Sequence, residues 1–272
     1  MRSELELWLR TIIGRAYPRV IGSNRERSWL FFDTLLPLLG TAAYVFVYRA
    51  IGAPEEYIGF VVVGGAMTAF WINVLWGMSS QLYWEKESGN LALYIAAPAP
   101  MMAILLGMAI GGLLATILRA TAIIAVGSLL FGVRYALGDF GLLILTFFLT
   151  MAALYGMGML FASLFLLWGR EAWHISNLLQ EPVYLLSGFY FPVRYLGFWV
   201  AMAASLIPLT LGLDAMRQML FPGGATLGFL SVQIEVSVLV GLSIVFIVAA
   251  RFSLDALERL ARQQGRLTER RG

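Results

Sequence analysis

Side chains able to do chemistry are sparse in this 272-residue chain, and their types exclude most catalytic sets. There is no Cys, a single His (His174) and a single Lys (Lys86) beside 18 Arg, so disulfides, thiolate nucleophiles and His or Cys metal clusters are ruled out. Lys86 is followed by Glu87 and is not preceded by a glycine-rich turn, so it cannot serve a phosphate-cradling loop, which needs Lys followed by Ser or Thr. No H-E-x-x-H, nucleophile elbow or helically spaced carboxylate pair occurs in the apolar runs, which argues against a membrane-embedded enzyme. What remains are charges inside apolar runs, Asp33, Arg119, Glu181 and Glu235, and one charged connection, Glu85-Lys86-Glu87.

The elements that must position these groups follow from composition. The chain is 60% hydrophobic and 13% charged, against roughly 45–50% and about 25% in soluble domains. That composition predicts an all-α integral membrane protein. A bilayer core of ~30 Å needs ~20 apolar residues of helix, and six runs meet or approach this: 29–48, 57–84, 101–131, 140–169, 172–190 and 227–250. The stretch 191–226 is apolar but punctuated by Pro192, Pro208 and Pro222, which predicts short helices that dip into the membrane or lie on it. The resulting division is 1–28 as an interfacial helix and basic linker, 29–250 as a six-span domain and 251–272 as a charged tail, a short helix or disordered.

Arginine placement sets the expected orientation. The first 28 residues hold six Arg and no long apolar run, so no cleavable signal peptide is expected there. Six Arg from Arg251 onward, Lys86 and Arg170 bring the inner total to fourteen, against four outside, Arg49, Arg134, Arg194 and Arg217. The imbalance predicts both termini in the cytoplasm, with Trp29, Trp84, Trp168 and Trp173 at the inner boundary.

Within 3–17, Leu5, Trp8, Leu9, Ile12, Ile13 and Ala16 recur at helical spacing with Arg10, Thr11 and Arg15 opposite. This predicts an interfacial amphipathic helix ended by Pro18, its arginines facing outward. Among the isolated charges, Asp33 is expected to be solvated or paired with Arg25 or Arg27. Arg119 lies deep or snorkels to the outer headgroups. Glu181 precedes Pro182, which suits a hinge, Glu235 either pairs with Arg119 or faces a cavity, and His174 beside Trp173 reads as interfacial.

The connection Glu85-Lys86-Glu87-Ser88-Gly89-Asn90-Leu91 through Pro98 is charged at its start and apolar at its end. An ordinary amphipathic connector has the same pattern. In register, however, Glu85, Lys86, Glu87, Gly89, Leu91 and Pro98 resemble the coupling-helix motif of type-2 ATP-binding-cassette (ABC) exporter permeases, E-R-E-x-G-T-L-E-x-L-x-x-T-P, from which Asn90, Ala92 and Ala97 depart. Pro208 through Asp214 to Arg217 is similar to that family's N-P-L-T-x-x-x-D-A-x-R, with Ile207 in place of Asn. Gly188-Phe189-Tyr190-Phe191-Pro192 is similar to its S-G-x-x-F/Y-P segment, while Leu196-Gly197 departs from the Leu-Pro that follows.

The resemblance covers nearly the whole chain. It implies an exporter permease of six spans with an interfacial helix, a cytoplasmic coupling helix and an outer gate of short helices between spans five and six. It further implies a second permease subunit, identical or homologous, and two copies of a separate nucleotide-binding ATPase that bind ATP and Mg. This chain would hold no cofactor or metal of its own, and would take an amphiphilic substrate such as a drug, lipid or lipid-linked glycan outward across a bacterial inner or plasma membrane. Membrane lipids are the other partner, and nucleic acid is not one. The competing readings are a membrane-embedded enzyme, for which no catalytic motif is found, and a gradient-driven carrier using Glu181 and Glu235 as proton sites, without an inverted repeat to support it.

Overall fold

A computed structural model describes residues 4–25, 27–136, 138–168 and 171–264, and the described residues form helices and connections with no strand. Gly169, Arg170, Arg2 and the tail arginines Arg266, Arg270 and Arg271 lie outside them, as do the side chains of Trp29, Trp168 and Trp173. In chain order the helices are α1 (Glu4–Arg25), α2 (Arg27–Ala50), α3 (Glu55–Ile72), a π-helical segment (Asn73–Ser79), α4 (Gln81–Glu87), α5 (Asn90–Ala96), α6 (Met101–Phe131), α7 (Phe140–Trp168) and α8 (Glu171–Leu186). A 3₁₀ turn (Val193–Leu196), α9 (Phe198–Ala204), α10 (Pro208–Leu220), α11 (Gly224–Leu227) and α12 (Val232–Gln264) complete the chain.

Local chemistry sets most boundaries. Pro100 precedes α6 and Gly132, at φ 70°, follows it, so the helix occupies the expected 101–131 and, at 1.5 Å per residue, is about 46 Å long. The Leu142 N–H donates to Asp139 Oδ1 at 3.0 Å in the first turn of α7. Pro192 precedes the 3₁₀ turn and Pro208 occupies the first turn of α10, where a missing N–H costs nothing. Gly197, at φ 80°, starts α9 where a Pro was expected from the resemblance.

Among the described residues, five helical stretches are long and apolar enough to cross a membrane: Phe31–Ala50, Glu55–Glu87, Met101–Phe131, Phe140–Leu166 and Val232–Leu257. A sixth arises only if α9 and α10, which meet at 110°, count as one broken span. The expected fifth span therefore needs correction. α8 has 16 residues, about 24 Å, and the chain turns at Gly188 instead of continuing to Tyr190. Pro182 lies inside α8 without ending it. The last long helix starts at Val232, since α11 ends at Leu227 and Gly228 is extended; Glu235 is thus in its first turn, not eight residues deep. α12 then runs on to Gln264 without a break at residue 250.

The N-terminal helix departs most from expectation. α1 continues through Pro18 to Arg25, and Pro18 and Gly14 both lie on its exposed side. An interior proline costs ~3 kcal/mol, and packing along α6 offsets it. A Cβ on Gly107 would stand 2.7 Å from Ile12 O, and one on Gly111 would stand 2.8 Å from Ala16 O, so two glycines one turn apart admit the α1 backbone. Because higher residue numbers on α1 meet higher numbers on α6, the two helices run parallel. The helix is also turned the other way: Arg15 faces the bundle, while Leu5, Leu9, Ile13, Tyr17 and Ile21 are exposed. Arg10 does face outward and pairs with Glu6 at 2.6 Å.

The main core joins α3, the π-helical segment, α6, α7 and α10 around Trp71, Phe60, Phe70, Leu75, Met78 and Met108, all nearly inaccessible. Gly158 on α7 sits where a Cβ would be 2.7 Å from Val74, and Met151, Met157 and Met159 are buried beside it, which is close helix packing.

Candidate functional site

Two polar constructions occupy opposite ends of the bundle. At the end carrying Lys86, the charged start of the connection, Glu85-Lys86-Glu87, forms the last turn of α4. Carboxylates are unfavourable at a helix C-terminus, and Glu85 is compensated by specific partners. Its Oε1 accepts from Arg15 Nη2 at 2.8 Å and Gln81 Nε2 at 3.0 Å, and its Oε2 accepts from Asn90 Nδ2 at 3.0 Å. Glu85 is buried, Lys86 half-buried and Glu87 exposed, so the two glutamates of the motif have different surroundings. Gly89, at φ 82°, makes the turn into α5, a conformation that a residue with a Cβ rarely adopts.

On α5, Leu91 is 2% exposed and Leu93 67% exposed, so the helix anchors by one face and presents the other. The Arg15 guanidinium lies 4.8 Å from the centre of the Tyr94 ring. Burial, reinforced by the neighbouring Glu85 carboxylate against the Arg15 charge, pushes the Tyr94 phenol up to about 12, so it stays a neutral donor to Glu85. Pro98 is exposed and stands in the bend between α5 and α6.

One turn further along α1, Arg19 Nη2 donates to Gly77 O at 2.6 Å and Nη1 to Gln81 Oε1 at 2.8 Å. The same π-helical segment receives Tyr155 Oη on Asn73 Oδ1 at 2.9 Å and sends Trp76 Nε1 to Gln180 Oε1 at 2.7 Å. Arg15 and Arg19 were not expected to face inward. Their signal was their spacing, four residues apart on one helical face.

At the other end Arg217 is 2% exposed, not the surface cation counted from sequence. Its Nη1 donates to Gly188 O at 2.6 Å and to Phe191 O at 3.5 Å, and its Nη2 to Phe189 O at 2.6 Å and Phe60 O at 2.7 Å. Its guanidinium also lies 5.2 Å from the Phe60 ring centre. One fork therefore ties α10 to α3 and to the turn after α8. Phe189 is fully buried, while Tyr190 stacks on Tyr44 at 4.0 Å and receives the Tyr48 hydroxyl on its carbonyl at 2.8 Å. Pro192 ends that turn and Pro208 is buried at the start of α10.

Beneath Arg217, Asp214 and Glu235 approach each other from α10 and α12, both buried. Gln218 Nε2 donates to Asp214 Oδ2 and to Glu235 Oε2, each at 3.2 Å. The Phe229 N–H donates to Asp214 Oδ2 at 2.8 Å and the Leu230 N–H to Glu235 Oε1 at 3.3 Å. Helical spacing alone had paired no carboxylates, because these belong to different helices. Glu235 does not meet Arg119. That guanidinium pairs with Asp33 at 2.5 Å and donates to Ser23 at 2.7 Å, so Asp33 is held by Arg119, while the Arg27 side chain lies outside the described residues. Glu181 and His174 are exposed on α8, and Gln180 Nε2 approaches Glu181 at 3.4 Å. Among the described residues no three His, Cys, Asp or Glu are placed to hold a metal.

Comparison with known families matches residues 19–221 to the model described as ABC-2 type transporter, from α1 to the end of α10. Arg15 of the first construction, and Glu235 and the α10–α12 connection of the second, lie outside the match, and the rest of both constructions lies within it. No curated protein matches the chain.

Proposed function

Since this chain belongs to the ABC-2 type transporter family, a membrane permease component of an ABC transporter, we propose that it pairs with a second permease copy, identical or homologous, and with two copies of a nucleotide-binding ATPase. ATP and Mg belong to those subunits, which bind beneath α5 on the cytoplasmic side. The observation that carries the proposal is the corner formed by α4 and α5. Leu91 and Glu85 are locked inward, while Glu87 at the end of α4 and Leu93 on α5 are exposed for a partner to grip. An exposed carboxylate beside an exposed Leu suits a cleft with an apolar floor and an Arg or Lys rim.

The turn 187–192, α9 and α10 form the outer gate in this reading, with Arg217 as the clasp that holds it closed against α3. The cargo is amphiphilic, a drug, lipid or lipid-linked glycan, moved outward along the paired spans. In this reading both termini of the multi-pass protein lie on the cytoplasmic side of the inner or plasma membrane, and the arginine excess supports that orientation.

The test is purification from the native membrane in mild detergent with mass spectrometry of what accompanies the chain. A stoichiometric ATPase with a phosphate-binding loop is expected. Glu87→Lys, which reverses an exposed charge without touching the core, is expected to reduce the amount of ATPase recovered while membrane insertion is unchanged. A chain that stays alone through several mild detergents refutes the proposal.

A further inference from the structure

The helix of the second span changes its winding where α1 touches it. From Asn73 to Ser79 it is π-helical, so its hydrogen bonds close over one residue more than in an α-helix. The Ser79 hydroxyl donates five residues back to Val74 O at 2.9 Å, and the Ser80 hydroxyl donates to the Trp76 carbonyl, so side chains add donors to two carbonyls of this segment.

Arg19 spans the end of this segment. One nitrogen holds the Gly77 carbonyl inside the π-helical turn and the other holds Gln81 at the first residue of α4. Gly77 makes this approach possible, because a Cβ there would stand 2.9 Å from Arg19 Nη2 and 3.2 Å from Asn73 Nδ2. Among the described residues Arg19 has no carboxylate within ion-pair distance, and its hydrogen bonds to Gln81 Oε1 and Gly77 O go to neutral oxygens of this one junction. Four residues earlier Arg15 holds Glu85 and covers Tyr94. The inner face of α1 thus grips, in order, the π-helical turn, α4 and α5.

We infer that Arg19 is a positioning residue that pins the π-helical winding, and that its release lets Asn73–Ser79 rewind as α-helix and turn α4, and α5 with it. As the route by which α5 passes movement to the span, this rests on the reading of α5 as the ATPase contact; the pinning itself does not. Rewinding removes one residue from the turn, which displaces everything after Ser80 by about 1.5 Å along the axis and about 100° around it. A rotation of that size carries Leu82, 1% exposed, to the half-buried position now held by Tyr83, and Trp84, 49% exposed, to the buried position now held by Glu85.

The absence of Cys makes single-cysteine reporters clean. In the purified chain with whatever ATPase accompanies it, Leu82→Cys and Trp84→Cys are reacted separately with a thiol reagent. With Arg19 intact, position 84 reacts and position 82 does not. Arg19→Gln is expected to exchange the pattern, position 82 gaining and position 84 losing reactivity several-fold, and Arg19→Lys to restore part of the original. Gly77→Ala keeps the arginine but crowds its guanidinium, and is expected to produce the same exchange. An unchanged pattern in both variants, or two positions that become equally reactive through local unfolding, overturns the inference.

ATP hydrolysis by the co-purified ATPase forms a separate arm. Several-fold lower turnover with unchanged subunit ratio is expected in Arg19→Gln, and undiminished turnover despite an exchanged pattern would remove the coupling role. An exchanged pattern in a chain that recovers no ATPase would instead uphold the pinning and refute the permease proposal.

Discussion

Replacing Arg217 by Ala tests the clasp most directly. Three of its contacts, to Gly188 O, Phe189 O and Phe60 O, lie at 2.6, 2.6 and 2.7 Å, and the group is 2% exposed. Hydrogen bonds to a charged group contribute about 1.5–3 kcal/mol each, so the sum over three bonds is roughly 4.5–9 kcal/mol before desolvation of the guanidinium is subtracted. Truncation also leaves buried carbonyls without that donor and a void against Phe60. A net loss of about 4 kcal/mol is expected, near the upper end for single substitutions. At ~2–4 °C per kcal/mol for a chain of this size, the midpoint falls by about 10 °C.

The assay is thermal unfolding in lipid nanodiscs at one scan rate, followed by tryptophan fluorescence. Arg217→Lys, a point charge that cannot fork across α3 and the turn together, is expected to lose about half as much. Arg49→Ala removes an exposed arginine that donates to Phe131 O at 3.1 Å, and is expected to stay within ~0.5 kcal/mol. An Arg217→Ala midpoint indistinguishable from that of Arg49→Ala refutes the clasp.

Gly64→Ala should attack the same junction from α3, since its Cβ would stand 1.6 Å from Phe189 O and 2.8 Å from Arg217 Nη2. Overpacking typically costs 1–3 kcal/mol, and the double variant with Arg217→Ala should lose less than the sum; strict additivity in the same unfolding assay would separate the two sites. Across α1 and α4, Arg15→Glu and Glu85→Arg should each destabilise the protein and the double exchange should recover part of the loss. With side-chain exposures of 31% and 10%, solvent screening limits the coupling to about 1 kcal/mol, and a double-mutant cycle showing none would dismiss the grip of α1 on α4.

Much of the helical framework is local and therefore legible. Pro100 and Gly132 bracket α6, Pro192 and Pro208 start short elements, and Pro222 follows α10 because proline and positive-φ glycine restrict the backbone wherever they stand. The motif around Glu85 and the one ending in Arg217 were also visible as patterns of residue type. Their electrostatics were not. Glu85 takes its charge partner 70 residues away, and Arg217 donates to a carbonyl 157 residues away.

By itself, then, the sequence determined that the chain is helical, apolar enough for a membrane and free of Cys chemistry, because these depend on composition and on backbone preferences of single residues. Tertiary structure alone decided that α1 continues past Pro18 with Arg15 and Arg19 inward, that Asp33 and not Glu235 meets Arg119, and that Asp214 and Glu235 share Gln218. The physical reason is the same each time. A charge removed from water must find a partner, and only packing, such as Gly107 and Gly111 admitting α1 to α6, determines which residue is close enough to serve.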